Sequence, residues 1–214
     1  YSNMTVSRTQ KNQYLSTDLI SFRSVRPNEP NTTIPSLIWD NIWQQRFYEP
    51  LFGGAAGIKL NIRSQARTAT SGEDSDGDGI SDGRDTDRFS LAGDWRRNWV
   101  FSNGVIGSLA FLVSADHFNI KQDDNFGDNS RITGVGSVEL RWPFAATDRW
   151  KGSQVIEPVI QYISAPIKDY GISNEDSTLV EFDEGSLFSI QRFAGYDVRE
   201  RGDRLNLGLG WTRM

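Results

Sequence analysis

Arg131-Ile132-Thr133-Gly134-Val135-Gly136-Ser137-Val138-Glu139-Leu140-Arg141-Trp142 is the stretch whose reading decides the fold. Its even positions carry Ile132, Gly134, Gly136, Val138, Leu140 and Trp142, and between them stand Thr133, Val135, Ser137, Glu139 and Arg141. Apolar and polar residues alternating one by one put each set on its own face of an extended chain. The pattern spreads outward. In 105–119 the odd positions read Val105, Gly107, Leu109, Phe111, Val113 and Ala115. In 57–69, Ile58, Leu60 and Ile62 alternate with Lys59, Asn61 and Arg63. Near the end, Leu205, Leu207, Leu209 and Trp211 alternate with Asn206, Gly208, Gly210 and Thr212. Segment 153–164 sets Ile156, Ile160 and Tyr162 against Glu157 and Gln161, with Val155 and Val159 blurring the phase.

Nine strands are expected, over 1–8, 13–25, 36–49, 57–69, 89–100, 105–119, 131–143, 153–164 and 204–213. Most match or pass the ~9–11 residues of a tilted membrane strand. The connections 9–12, 50–56, 101–104 and 144–152 are short, with turn residues such as Gly53-Gly54 and Asn103-Gly104. The connections 26–35, 70–88, 120–130 and 165–203 are long and polar. Short turns on one rim and long loops on the other are the rhythm of an antiparallel up-and-down barrel, and a Greek-key sandwich has no reason to keep it. The fold expected is therefore all-β: an antiparallel up-and-down transmembrane β-barrel, present as an incomplete segment. The odd strand number and the cut appearance of Tyr1 and Met214 point the same way, making 1–214 a partial outer-membrane β-barrel domain.

Composition narrows the alternatives. Hydrophobic residues make up 37% of the chain, and the mean hydropathy is -0.51. No apolar run approaches the ~20 residues of a spanning helix. Barrel strands share their residues between lipid and lumen, so such an average does not exclude a membrane protein. Seven Trp, six Tyr and twelve Phe suit aromatic girdles at the two interfaces. The net charge of -5 speaks against nucleic acid as a partner. With no cysteine there is no disulfide framework and no thiolate metal site.

The sharpest local motif is Asp74-Ser75-Asp76-Gly77-Asp78-Gly79-Ile80-Ser81-Asp82-Gly83-Arg84-Asp85. Calcium takes roughly six to eight oxygens, and carboxylates at alternate positions with a glycine between them wrap such an ion in one short loop. Asp74, Asp76, Asp78, Asp82 and Asp85 are candidate side-chain ligands for Ca2+, with the Ile80 carbonyl as a sixth. The spacing resembles a thrombospondin type-3 repeat and departs from the EF-hand, which closes on Glu where Asp85 stands. The competing reading is an acidic, flexible surface loop. Asp123, Asp124 and Asp128 are read as a solvated loop. His117 is the single histidine and has no nucleophile context, so no catalytic residue is assigned. Lys59, Arg63, Glu139 and Arg141 lie on the polar phase and are candidates for a lumen path, with pairing among themselves as the plainer role. Segment 174–197 is too long and too aromatic for a passive connection, and is expected either to fold into a barrel mouth or to form a short helix packed by Leu187, Phe188 and Phe193.

The stretch from Asn174 to Asp197, followed by Arg204-Leu205-Asn206-Leu207-Gly208, resembles the C-terminal barrel of the lipopolysaccharide-assembly (LptD) family, its alphaproteobacterial forms most of all. Thr33-Ile34-Pro35 with Glu49-Pro50-Leu51-Phe52-Gly53-Gly54 is similar to it as well, as are Thr86-Asp87-Arg88-Phe89-Ser90-Leu91 before Trp95 and Leu140-Arg141-Trp142-Pro143-Phe144 before Ile156-Glu157-Pro158. The resemblance implies a large outer-membrane barrel joined to an N-terminal periplasmic jellyroll, with a plug lipoprotein, LptE, inside it. It implies transport of lipopolysaccharide to the outer leaflet without catalysis, fed by a periplasmic bridge through the jellyroll. The jellyroll and further strands are expected outside this chain. Two other readings compete: a secreted soluble calcium-binding β-sandwich used for adhesion, and a general outer-membrane porin.

Overall fold

The computed structural model describes residues 1–26, 30–147, 152–179 and 183–213. Its strands are β1 (Ser2–Gln10), β2 (Gln13–Ser21), β3 (Leu37–Leu51), β4 (Gly54–Ala66), β5 (Asp85–Val100), β6 (Ile106–Lys121), β7 (Asn129–Arg141), β8 (Phe144–Thr147), β9 (Ser153–Ser164) and β10 (Arg204–Arg213), with one helical turn, α1 (Glu184–Leu187), before β10. All ten strands belong to one sheet, in the order β1-β2-β3-β4-β5-β6-β7-β9-β10 with β8 beside β9. Every neighbouring pair is antiparallel. The sheet is up-and-down as expected, but β1 and β10 stand at its two edges and it does not close on itself.

The tight turns follow from local chemistry. Between β3 and β4, Phe52 (φ 57°) and Gly53 (φ 73°) both adopt the left-handed region. A two-residue turn of that kind matches the right-handed twist of the strands it joins. The turn thus falls one residue before the expected Gly53-Gly54 pair.

One element escaped expectation. Segment 144–152 was expected to be a plain turn, and its first four residues form β8 instead. β7 pairs β9 only from Gly136↔Ser164 to Arg141↔Val159. On that edge the early part of β9 is left without a neighbour, and β8 fills the gap from Phe144↔Ile156 to Thr147↔Ser153. Pro143, with no N–H to give, marks the break between the two partners. β2 also stops at Ser21, short of the expected 25, and β5 begins at Asp85, ahead of the expected 89.

The two faces of the sheet invert the usual order of a soluble protein. On one face Ile132 is 70% exposed, Val113 53% and Leu209 72%, with Phe111, Val138, Leu140 and Leu207 also open. On the other, Asn61 and Gln161 are 0% exposed and Arg88 3%, among buried Ser90, Ser114, Asp116, Arg131 and Thr133. An apolar surface of that extent is not left bare to water in an ordinary soluble domain. The sandwich reading needs a second sheet over this face, and among the described residues there is a single sheet. Among the described residues the buried apolar cluster is a small island on the polar face, where Val135, Ile163 and Ala165 meet Leu112 and Ile190.

Candidate functional site: a strap across the polar face

The polar face is buried because the 165–203 connection lies over it. Two limbs of this strap, 173–179 and 190–199, run side by side, joined by the antiparallel bridge Leu179↔Phe193. Val180, Glu181 and Phe182, part of the segment singled out in the sequence, lie outside the described residues. Two carboxylates stitch the limbs together. Asp197 accepts from the backbone N–H groups of Glu175 and Asp176, each at 2.9 Å. Asp176 accepts in return from those of Tyr196 (3.0 Å) and Asp197 (3.1 Å). Gly195 turns between them at φ +84°, where an added Cβ would sit 2.4 Å from the Asp176 carbonyl oxygen. Beyond the bridge comes α1, closed by a capping box in which Asp183 accepts from the Ser186 N–H and the Ser186 hydroxyl accepts from that of Asp183. Its exit residue Phe188 packs over Gly208 and offers its carbonyl to Gln161 at 3.0 Å. The expected short helix is present, and the described limbs of the segment lie on the polar face of an open sheet rather than in the mouth of a closed barrel.

Charge fastens the strap to the strands. Arg88 of β5 reaches Asp176 and Asp197, both at 2.5 Å. Asp116 of β6 is held between Arg131 of β7 at 2.7 Å and the strap's Arg199 at 2.8 Å. Arg131 also donates to the carbonyls of Tyr196 and Asp197. Glu175 pairs with Arg67 at 2.9 Å and lies 3.6 Å from Arg84. At the other end Glu200 joins Arg192 (2.6 Å) to Arg204 (3.2 Å). The Tyr196 ring sits among three cations, Lys59 at 4.7 Å, Arg88 at 4.9 Å and Arg199 at 5.4 Å. Buried charges survive only when paired and hydrogen-bonded, and these are. Burial pushes the Asp197 carboxyl up, and the Asp176 charge adds to that against the pull of Arg88. Burial acts on Asp176 too, but there Arg88 and the Tyr196 N–H outweigh it and hold the group far below the ordinary carboxylate range.

All four residues expected to line the polar path lie on this face. Lys59 meets the strap through the Tyr196 ring. Arg63 lies 3.6 Å from Asp40. Glu139 is buried, accepts from Gln161 at 3.0 Å and pairs with Arg141 at 2.7 Å, while Arg141 also lies 3.4 Å from Glu157. Missed in the sequence were the residues that carry the docking, above all Arg88, Asp116, Arg131 and Arg199. The alternation held the signal for three of them: Asp116 and Arg131 continue the polar phases of their strands, and Arg88 precedes Ser90 on that of β5.

The six candidate calcium ligands divide. Asp74, Asp76 and Asp78 bring a carboxylate oxygen each within 4.8 Å of the others, exposed at the surface. The Asp74 carboxylate also accepts from the N–H groups of Gly77 (2.7 Å) and Gly79 (2.9 Å), and Asp78 from that of Ile80 (2.7 Å). Asp82 is turned to Ser75, whose hydroxyl donates at 2.5 Å. Asp85 opens β5 and accepts the Arg67 N–H at 2.8 Å. In the second acidic cluster Asp124 and Asp128 are exposed, as a solvated loop requires, and Asp123 departs from that expectation. The Asp123 side chain is 0% exposed and paired with Arg84. Burial raises this carboxyl, but the N–H groups of Asn125 and Phe126 and the Arg84 charge outweigh it and hold it below its ordinary value.

Comparison with known proteins comes down on one family. The family model described as LPS transport system D, LptD, matches residues 1–214. The LPS-assembly protein LptD of Albidiferax ferrireducens is 29% identical over 123 residues, covering 55% of this chain. The matched stretch is 15% of that relative's length.

Proposed function

We propose that this chain, which belongs to the LptD family, is part of the wall of an outer-membrane β-barrel that passes lipopolysaccharide to the outer leaflet in Gram-negative cells. The observation that carries this reading is the inverted sheet: apolar side chains bare on one face, charged and amide side chains buried on the other. Acyl chains are the solvent that suits the first face. In this reading the chain is one part of a closed barrel in a longer protein that also carries a periplasmic jellyroll, and its partners are an LptE-like plug lipoprotein and a component of the periplasmic lipopolysaccharide bridge. The barrel's work is passage of an amphiphile along a polar wall, with no bond made or broken. A general porin is favoured less, because an open diffusion pore needs a wet lumen and here the strap occupies the polar face with paired charge.

Photo-crosslinking in living cells tests the reading. A photoreactive amino acid placed at Lys59 or Arg141 in the full-length protein is expected to capture lipopolysaccharide, and one at Val113 to capture phospholipid. Continued surface delivery with no lipopolysaccharide adduct at either polar position would overturn it. Recovery of the protein in a soluble fraction without detergent would do the same.

We propose further that calcium orders the 74–85 connection through Asp74, Asp76 and Asp78, a local role in a calcium-rich exterior. Asp76→Asn with Asp78→Asn should abolish the heat of calcium binding that the unsubstituted protein gives. Equal heats from both would remove this proposal.

A further inference from the structure

At the long-loop rim, beside the Arg67–Glu175 pair of the strap, lies an open cleft of 620 Å3. It runs between Phe22–Arg26 with Ile34 and Pro35, the adjoining ends of β3 and β4, Ile80 and the strap's Glu175. Its volume falls within the ~300–1,000 Å3 typical of ligand sites and is far more than a bare ion needs.

Its chemistry is two-sided. Arg23, Arg26, Arg63 and Arg67 line it, with Glu175 as the one carboxylate among the lining residues. That carboxylate is already committed to Arg67 at 2.9 Å. Arg63 has only a long contact, 3.6 Å to Asp40. Arg23 is exposed and meets no carboxylate among the described residues. Among the described residues, Arg23 and Arg63 therefore bring guanidinium charge to the cleft that Glu175 does not neutralise. Ile34, Ile38 and Ile80 line the same space and give it an apolar part. Planar guanidinium forks match phosphate oxygens two by two, and low-dielectric walls focus their field into the cleft.

We propose that this cleft binds the phosphate group of an anionic amphiphile, held by Arg23 and Arg63 with the isoleucine wall against the first part of its apolar chain. This deepens the transport reading and rests on it for the source of the ligand, a lipid phosphate arriving at the long-loop rim.

The test uses the full-length protein in lipid nanodiscs and three soluble probes: butyl phosphate, inorganic phosphate and butanol. Phosphorus NMR line broadening or calorimetry reads the binding. Butyl phosphate is expected to bind more tightly than inorganic phosphate, and butanol to give no saturable signal. Arg23→Gln with Arg63→Gln should weaken butyl phosphate at least about tenfold, as loss of hydrogen bonds to a charged group does. Arg23→Glu alone, at an exposed loop position that does not threaten folding, should weaken it further by repulsion. Arg96→Gln at the opposite rim should leave binding unchanged. Equal affinity for inorganic and butyl phosphate would make this a free-phosphate site and overturn the lipid assignment. Undiminished binding in the double variant would overturn the cleft altogether. The two readings part cleanly: binding without surface delivery of lipopolysaccharide sinks only the transport reading, and delivery without binding sinks only this one.

Discussion

Arg88 is the residue on which strap docking turns, because one guanidinium nitrogen serves two carboxylates at 2.5 Å each. Removing it strands Asp176 and Asp197 together, since Arg131 reaches only the carbonyl of Asp197. Breaking a buried pair from one side costs about 3–5 kcal/mol, so Arg88→Ala should release the strap. These 214 residues hold no cysteine, so Thr178→Cys, at an exposed position of the strap, gives this chain a single site for a nitroxide label. Its mobility should rise sharply in Arg88→Ala and partly in Arg88→Lys, which lacks the planar fork; no change in Arg88→Ala would refute the role given to Arg88. Gly195→Ala should loosen the strap too, by forcing a Cβ against the Asp176 backbone at a left-handed φ. The same pair predicts a pH profile with two limbs. Asp197, raised above its ordinary value of roughly 3.9, binds a proton more readily in the docked strap than in the released one. Docking should therefore tighten as pH falls from neutral toward that value. Asp176 is depressed, so its contribution is full above roughly 3.9 and is lost as pH falls through its lower, docked value. Label mobility should dip on mild acidification and rise only in strong acid. A steady rise from neutral pH would contradict the assignment.

At the scale of elements, what could be foreseen and what could not separate along one physical line. Nine of the strands were legible because they are long and most carry their face assignment in their own alternation, which is blurred in β9 by Val155 and Val159 and less clean in β2 and β3. β8 was not, because Phe144-Ala145-Ala146-Thr147 shows no alternation, and only the shortfall of β7 along β9 gives it a partner. The side of the sheet to which Lys59, Arg63, Glu139 and Arg141 belong was legible for the same reason as the strands. The docking of the strap was not, since Arg88 and Asp197 are 109 residues apart in the chain and nothing local ties them. Loop closure over that distance must be offset by contact at the far end, and the strap supplies it with charge and with Ile190 on the small apolar island. The strands do not depend on this contact, because their ladders run between neighbours. Replacing 174–197 with a Gly-Ser linker should thus leave the strand signal in circular dichroism unchanged while raising ion conductance of the full-length protein in planar bilayers. An unaltered conductance would mean that the strap does not narrow the passage.

For the whole molecule the question is which solvent each face was built for, and a single charge can ask it. Val113 lies midway along β6, 53% exposed, among Phe111 and Ile132 on the apolar face. Leu37 opens β3 at its end and is exposed on the same face. If that face met water, an arginine at either place would change stability by no more than about 0.5 kcal/mol. Against acyl chains the cost depends on depth: about 2–4 kcal/mol at the midplane and about 0–1 near the interface. Val113→Arg in the full-length protein, refolded into vesicles and titrated with urea, should lose the larger amount, and Leu37→Arg little. The contrast discriminates better than either value alone, because a general intolerance of arginine in extended strands would penalise both alike. Equal losses, or none, would mean that the bare apolar face answers to something other than a bilayer.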